Sequence, residues 1–372
     1  MRIPDDILSN KLLASIILEY CNNELFPLIT HNKIRIRCKL STNNSFNATV
    51  STIDCRDYDI LINEGIINTF IKTINSLNDE NIDEEISLIS NVLLNDVNKK
   101  DDIYRTLVYG ATFFIIFHEF AHIFRGHFHY AIENEICNQN KTSSYNFDEI
   151  TDEPTFKTDI FNNCFLKLIE LDADNSSLNI FFQISLELFA LTSEYFEKEH
   201  IDWRTKENPQ WRYSANKIAY YATSLALAMI EANRNKNVSY PMPLSRFLNI
   251  SETYKQEIYN SFNIVSRVNR GEIQTFSLSD EQKEIKEKYI FMPFLFAIDI
   301  ILESAKLKEV NILDRFGSEE IELYEKLYFD YLNLCKSLTF KNLISKEGKE
   351  FQYLRNMYPN FQSIFKAFII FD

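Results

Sequence analysis

The chain has 372 residues, 45% of them hydrophobic, and carries 39 basic against 53 acidic side chains for a net charge of −14. So much apolar content fills the core of one large domain or two ordinary ones and excludes a disordered chain. The acidic balance argues against nucleic acid and anionic membrane surfaces as partners.

In chain order, Ile7, Leu8, Leu12, Leu13, Ile16 and Ile17 have helical spacing and predict a first helix over 6–23. Lys33 to Leu40, KIRIRCKL, alternates charged and apolar residues, the pattern of a strand with one wet face rather than of a nucleic-acid strip. Strands are also expected at 46–53 and 58–62, with a turn-rich connector at 41–45. Together they predict a small antiparallel sheet at about 33–62 that walls a cleft.

Helical periodicity takes over at 66–77, 84–94 and about 103–125, and Gly126 is placed to close the last of these in the left-handed conformation. The most apolar stretch, 107–124, holds two histidines and a glutamate, so it reads as a buried core helix and no membrane insertion is expected. Residues 130–159 are polar and predict a long surface excursion. Further helices are expected at about 160–193, interrupted near 175–177, and at 214–234. The prolines of Tyr240-Pro241-Met242-Pro243 predict an extended turn.

After a polar break at 271–280, amphipathic helices are expected at 281–305, 318–338 and 348–370, the last broken by Pro359, with Phe291 to Phe296 in the core. The fold class is therefore mostly α with a small antiparallel β-sheet (α+β): a core at 1–270 and a helical extension at 271–372 packed on it. The six cysteines, at 21, 38, 55, 137, 164 and 335, form no C-x-x-C pair and read as reduced thiols. With no apolar signal segment in MRIPDDILSN, a cytoplasmic location is expected.

The chemistry concentrates in Phe113 to His129, which holds four of the six histidines. His118-Glu119-Phe120-Ala121-His122 is an H-E-x-x-H pattern: residues four apart share a helix face, so both imidazoles can grip one ion. Glu119, turned roughly 100° away, can reach a water on that ion as general base. Two imidazoles and a carboxylate suit one Zn2+, and a catalytic zinc takes three protein ligands. The longer H-E-x-x-H-x-x-G-x-x-H pattern fails, because Arg125 and Phe128 stand where glycine and histidine are required. A cysteine ligand is not favoured either, since Cys55 has no glycine-rich surroundings.

The third ligand is sought on a downstream helix in Glu170-Leu171-Asp172-Ala173-Asp174. Glu170 is the candidate, with Asp172 or Asp174 as alternative oxygen donors. Asp174, one turn on, could instead receive the outer N–H of a ligating histidine and fix its tautomer.

The combination His118-Glu119-x-x-His122-x-x-x-Gly126-His127 with Glu170-x-x-Ala173-Asp174 resembles the gluzincin peptidases of the HtpX and CAAX-prenyl endopeptidase group, and is similar to the soluble phage-exclusion peptidases of the Lit type. The similarity covers about 103–246. It implies a zincin-like metallopeptidase core, a zinc-dependent endopeptidase activity with Glu119 as catalytic base, His118, His122 and Glu170 as metal ligands, and Asp174 beside them. Those membrane families often carry a histidine-proline segment followed by arginine; here Tyr240-Pro241 and Arg246 fill the positions, with tyrosine in place of histidine. Tyr240 is thus a candidate oxyanion donor or a packed aromatic. Arg246 would orient Asp174, bind a substrate carboxylate or form a surface ion pair, and His127 would touch substrate or cap the helix. The implied partner is a protein or peptide substrate, with a regulatory partner on the C-terminal helices. A triggered phage-defence or toxin effector and an inactive metal-stabilised binding protein are the alternative functions.

Overall fold

The computed structural model describes residues 17–31, 33–52, 54–76, 100–133, 145–148, 163–192, 209–233, 243–261 and 346–365. The helices expected at 84–94, 281–305 and 318–338, the Phe291 to Phe296 stretch and Tyr240 lie outside them. A π-helical turn, Cys21–Leu25, leads into α1, Phe26–Thr30, so the first helix runs past the asparagines at which it was expected to end. The strands are β1 (Arg35–Ser41), β2 (Ala48–Thr52), β3 (Asp57–Asn63) and β4 (Tyr145–Asp148). The helices after α1 are α2 (Glu64–Ser76), α3 (Lys100–Phe124), α4 (His127–Glu133), α5 (Asn163–Thr192), α6 (Pro209–Asn233), α7 (Pro243–Ser261) and α8 (Lys346–Phe365).

The sheet is mixed, not antiparallel as expected. Its order is β1-β3-β2-β4; β1 pairs parallel with β3 in the register Arg35↔Asp57 to Ser41↔Asn63, whereas β2 runs antiparallel to both β3 and β4. The antiparallel expectation fails because the β1–β2 connector crosses over the end of β3, which then lies between them. Gly65, at the start of α2, permits that crossing: its N–H donates to Asn43 O at 3.0 Å, and a Cβ there would meet Asn44 O at 2.1 Å. Without a side chain, the two backbones can touch.

The β2–β3 link is a conventional tight turn. Asp54 Oδ1 accepts from the N–H groups of Arg56 (2.9 Å) and Asp57 (3.0 Å), and Cys55 sits at φ 56°. The expected alternation holds in β1: Ile36 and Cys38 point inward while Arg35, Arg37 and Lys39 point outward. Arg37 and Lys39 meet Asp59 of the neighbouring β3 at 2.8 and 3.0 Å. The outer face is therefore a ladder of opposite charges, as cross-strand pairing favours.

The inner face of the sheet packs on α3 through β2 and β3. Helix α3 is surrounded further by α5 and α6, and every residue from Leu107 to Ile123 is buried. A helix apolar on all sides belongs in such a position. It is long and apolar enough to cross a membrane, yet 94% of its 107–124 window is buried inside the protein, as the sequence predicts for a core helix.

Four further expectations need correction. The polar excursion at 130–159 contains the end of α4 and all of β4, which adds to the sheet beside β2. Helix α5 is not interrupted near 175–177, since Ser177 Oγ donates back to Asp174 O at 2.8 Å and so satisfies itself within the helix. Pro359 does not break α8: Pro359 and Arg355 are both exposed, so the carbonyl that loses its amide donor faces water. Prolines at the first positions of α6 and α7 start those helices, because the first turn needs no N–H donor. Pro243 is accordingly part of a helix, not of an extended turn.

Candidate metal centre

Helix α3 presents His118 and His122 one turn apart, and α5 packs alongside with Glu170 facing them. His118 Nε2 lies 3.2 Å from Glu170 Oε2 and 3.2 Å from His122 Nε2, and His122 Nε2 lies 3.8 Å from Glu170 Oε1. Tetrahedral zinc with bonds of about 2.0–2.1 Å would separate its ligand atoms by roughly 3.3 Å. Two of the three separations stand close to that spacing, and the third, at 3.8 Å, is longer. The three residues form a buried His-His-Glu group that could hold a metal ion.

The surrounding hydrogen bonds determine which nitrogens carry protons. Asp174 is buried, which alone would raise its pKa, but Arg246 and His118 more than offset this and hold it at about 2. His118 Nδ1 lies 3.0 Å from Asp174 Oδ1; with its proton on Nδ1, on the side of that carboxylate, the ring keeps Nε2 as a lone pair.

A second chain reaches His122. Asp172 is likewise buried and held at about 2 by His127 and Arg125. His127 Nε2 donates to Asp172 Oδ2 at 3.1 Å, so Nδ1 of the neutral ring is an acceptor; it faces His122 Nδ1 at 2.9 Å. His122 must then donate from Nδ1, which leaves its Nε2 as a lone pair too. Burial keeps both rings neutral: desolvation, followed by the charges of neighbouring groups, lowers the pKa of His122 well below the ordinary histidine value, and desolvation lowers that of His127. Two ring lone pairs and a carboxylate oxygen thus converge. A cation satisfies that set, which is the physical fit between these residues and a metal.

Glu119 is buried beside His118 on the same helix. Cys38 of β1 lies close enough that burial and then, after an opposing backbone hydrogen bond from Lys39, the charge of Glu119 push its thiol pKa up. The inner face of the sheet therefore lies against the Glu119 side of α3. Phe26 stacks on Phe120 at 5.0 Å, and Tyr58 meets Phe128 edge-on at 5.8 Å, which seals this wall with aromatic rings.

The structure brings His118, His122, Glu170, Asp174, His127 and Arg246 into one cluster with Glu119 adjacent. Arg246, on α7, is buried and grips Asp174 with two bonds of 2.8 Å, from Nε and Nη2, so it orients that carboxylate and is not a surface ion pair. His127 is buried between His122 and Asp172 and opens α4 on the far side of Gly126, whose φ of 75° makes the turn. Asp172 and Asp174 are each directed at other partners, which leaves Glu170 as the oxygen donor of the triad. Residues the sequence did not single out are Arg125, whose Nε and Nη2 bond Asp172 at 2.7 and 3.2 Å, and Tyr358 of α8, whose hydroxyl donates to Asp172 Oδ1. Arg125 had a weak signal, a cation in the last turn before the closing glycine; Tyr358 had none.

No protein-family model, curated protein or solved structure matches the chain. What is shown is a buried His-His-Glu group in a mostly helical α+β protein, and its chemistry must be argued from these residues.

Proposed function

We propose that the chain is a zinc-dependent endopeptidase of the gluzincin type, acting on a protein or peptide substrate in the cytoplasm, with no nucleic-acid partner and no membrane insertion. One observation carries this reading: Glu119 sits buried next to His118, where a site that only stabilised the fold would have no use for it. His118, His122 and Glu170 would hold the ion. When bound, zinc supplies Lewis acidity, lowering the pKa of water toward neutrality and polarising a carbonyl. Glu119 takes the proton of the attacking water and delivers it to the leaving amine nitrogen. Asp174 and Asp172 keep the two imidazoles in the tautomers that point lone pairs at the ion.

A triggered form of this function, a phage-defence or toxin effector, draws support from the burial of the centre. His118, Glu119, His122 and Glu170 are only 1–4% exposed, so little of the centre faces solvent. Such a site opens before it acts, as lids and loops commonly do.

The test is Glu119→Gln in cells. Its zinc content by mass spectrometry should equal that of the wild type, while new protein N-termini found in wild-type cells by quantitative proteomics should vanish. Equal cleavage by the variant would overturn the assignment, and a zinc-loaded wild type that generates no new N-termini with or without phage challenge would leave a metal-stabilised binding protein as the reading.

A further inference from the structure

Helix α8 lies far along the chain from the H-E-x-x-H motif, yet it ends a continuous line of hydrogen bonds that begins at a metal ligand. From His122 Nδ1 the line passes to His127 Nδ1 at 2.9 Å, from His127 Nε2 to Asp172 Oδ2 at 3.1 Å, and from Asp172 Oδ1 to the Tyr358 hydroxyl. Arg125 closes the fork of the same carboxylate. The helix is fastened at other points too: Glu350 receives Lys167 of α5 and, at 2.7 Å, the Ser245 hydroxyl of α7, and Arg355 pairs with Glu252 of α7. Phe351, Leu354 and Phe361 are buried on the same side. Helix α8 is thus docked on the two helices that carry Glu170 and Arg246.

Each atom in the line has one workable role. A carboxylate only accepts, so both Tyr358 and His127 donate to Asp172. His127 in that tautomer can only accept at Nδ1, and His122 is then obliged to offer its proton there. The alternative tautomer of His122, with the proton on Nε2, would aim a proton at His118 Nε2 and the ion's position. Orientation of the Asp172 carboxylate therefore decides whether His122 is ready to bind.

We propose that Tyr358, Asp172 and His127 are positioning residues for the metal ligand His122, so that docking of helix α8 arms the metal centre and its release disarms it. This rests on the metallopeptidase reading for its consequence and adds to it a route by which a partner bound to the C-terminal region would control the site. Outer hydrogen-bond partners of ligating histidines commonly change metal affinity about 10- to 100-fold when altered. Tyr358, one step further out, should change it by about three- to tenfold.

The experiment uses the full chain with Zn2+ as the probe. Zinc affinity is measured by chelator competition for wild type, Tyr358→Phe, His127→Leu, His127→Asn and, as a control on the exposed side of the same helix, Tyr353→Phe. Expected are a loss of about three- to tenfold for Tyr358→Phe, about 10- to 100-fold for His127→Leu, and none for Tyr353→Phe. Asparagine places an amide oxygen near the former Nδ1, so His127→Asn should recover most of the loss. In parallel, nitrogen NMR of histidine-labelled, metal-free protein should show His122 as the Nδ1–H tautomer in the wild type and a fall in that tautomer in Tyr358→Phe, a change that a merely structural role for Tyr358 would not produce. Unchanged zinc affinity in Tyr358→Phe, or an Nε2–H tautomer at His122 in the wild type, would overturn the relay while leaving the peptidase reading standing. A wild-type chain that takes up no zinc would overturn both.

Discussion

Arg246 and Asp174 form a bidentate ion pair sealed inside the protein: both bonds are 2.8 Å long and both side chains are buried. Asp174 Oδ1 is shared, accepting Arg246 Nη2 and facing His118 Nδ1 at 3.0 Å. A fully desolvated charge pair adds little net stability over an apolar pair of the same shape, so stability alone does not account for it. The pair holds Asp174 as a carboxylate in a fixed orientation, and through it one metal-facing imidazole.

Replacement of Arg246 by Met keeps the side-chain volume but leaves the Asp174 charge without its main compensation. The expected loss is about 3–5 kcal/mol in urea unfolding of the metal-free protein. Asp174→Leu on the same background should restore part of that stability, because the buried charge is gone as well. Zinc affinity should stay low in the double variant, since nothing then receives the His118 Nδ1 proton. Equal zinc binding by wild type and the double variant would separate Asp174 from the metal centre.

Gly65 governs the order of the sheet. With Asn44 O where its Cβ would stand, Gly65→Ala forces apart two stretches of backbone, neither of which can swing away as a side-chain end would. Overpacking costs typically run about 1–3 kcal/mol, and this contact belongs at the upper end. Gly110→Ala is a useful comparison. Its Cβ would meet Ala222 Cβ at 2.7 Å and Phe181 Cζ at 3.0 Å, where α3, α5 and α6 converge. Thermal unfolding should show both variants destabilised, with Gly65→Ala alone weakening protection of the β1 and β3 amides in hydrogen exchange. A Gly65→Ala chain as stable as wild type would refute the crossing as described.

These contacts also show which parts of the site could be read in advance. His118 with His122, and Glu170 with Asp174, are pairs four residues apart on helices, and helical periodicity alone puts each pair on one face. Helix α3 itself was visible because 107–124 is a long, mainly apolar run. The sheet order was not: alternation marks a strand and its wet face, but the insertion of β3 between β1 and β2 depends on a backbone contact at Gly65, which has no pattern. Arg246 could be named as a partner for Asp174, yet its burial ran against the ordinary preference of arginine for the surface. Tyr358 reaches Asp172 across 186 residues of sequence, and only the docking of α8 brings them together.

The thiols offer a test of the closed state. Cys21 and Cys38 are buried, and desolvation, aided for Cys21 by Cys38 and for Cys38 by Glu119, pushes both pKa values upward. The thiolate is the reactive form, so at pH 8 both should resist alkylation, while half-buried Cys55 should react first of these three. Because Cys38 sits on the wall against Glu119, its labelling rate reports the lifting of that wall. If the centre opens when a trigger or substrate arrives, mass-mapped alkylation of Cys38 should accelerate in step with proteolysis, and Cys21, on the π-helical turn, should follow only if that turn moves with β1. The coupling is expected because Asn22 binds the Cys38 backbone at both ends, accepting from its N–H at 2.7 Å and donating to its carbonyl at 3.0 Å. Active protein in which Cys38 stays as unreactive as in the resting state would place the entrance on another side of α3.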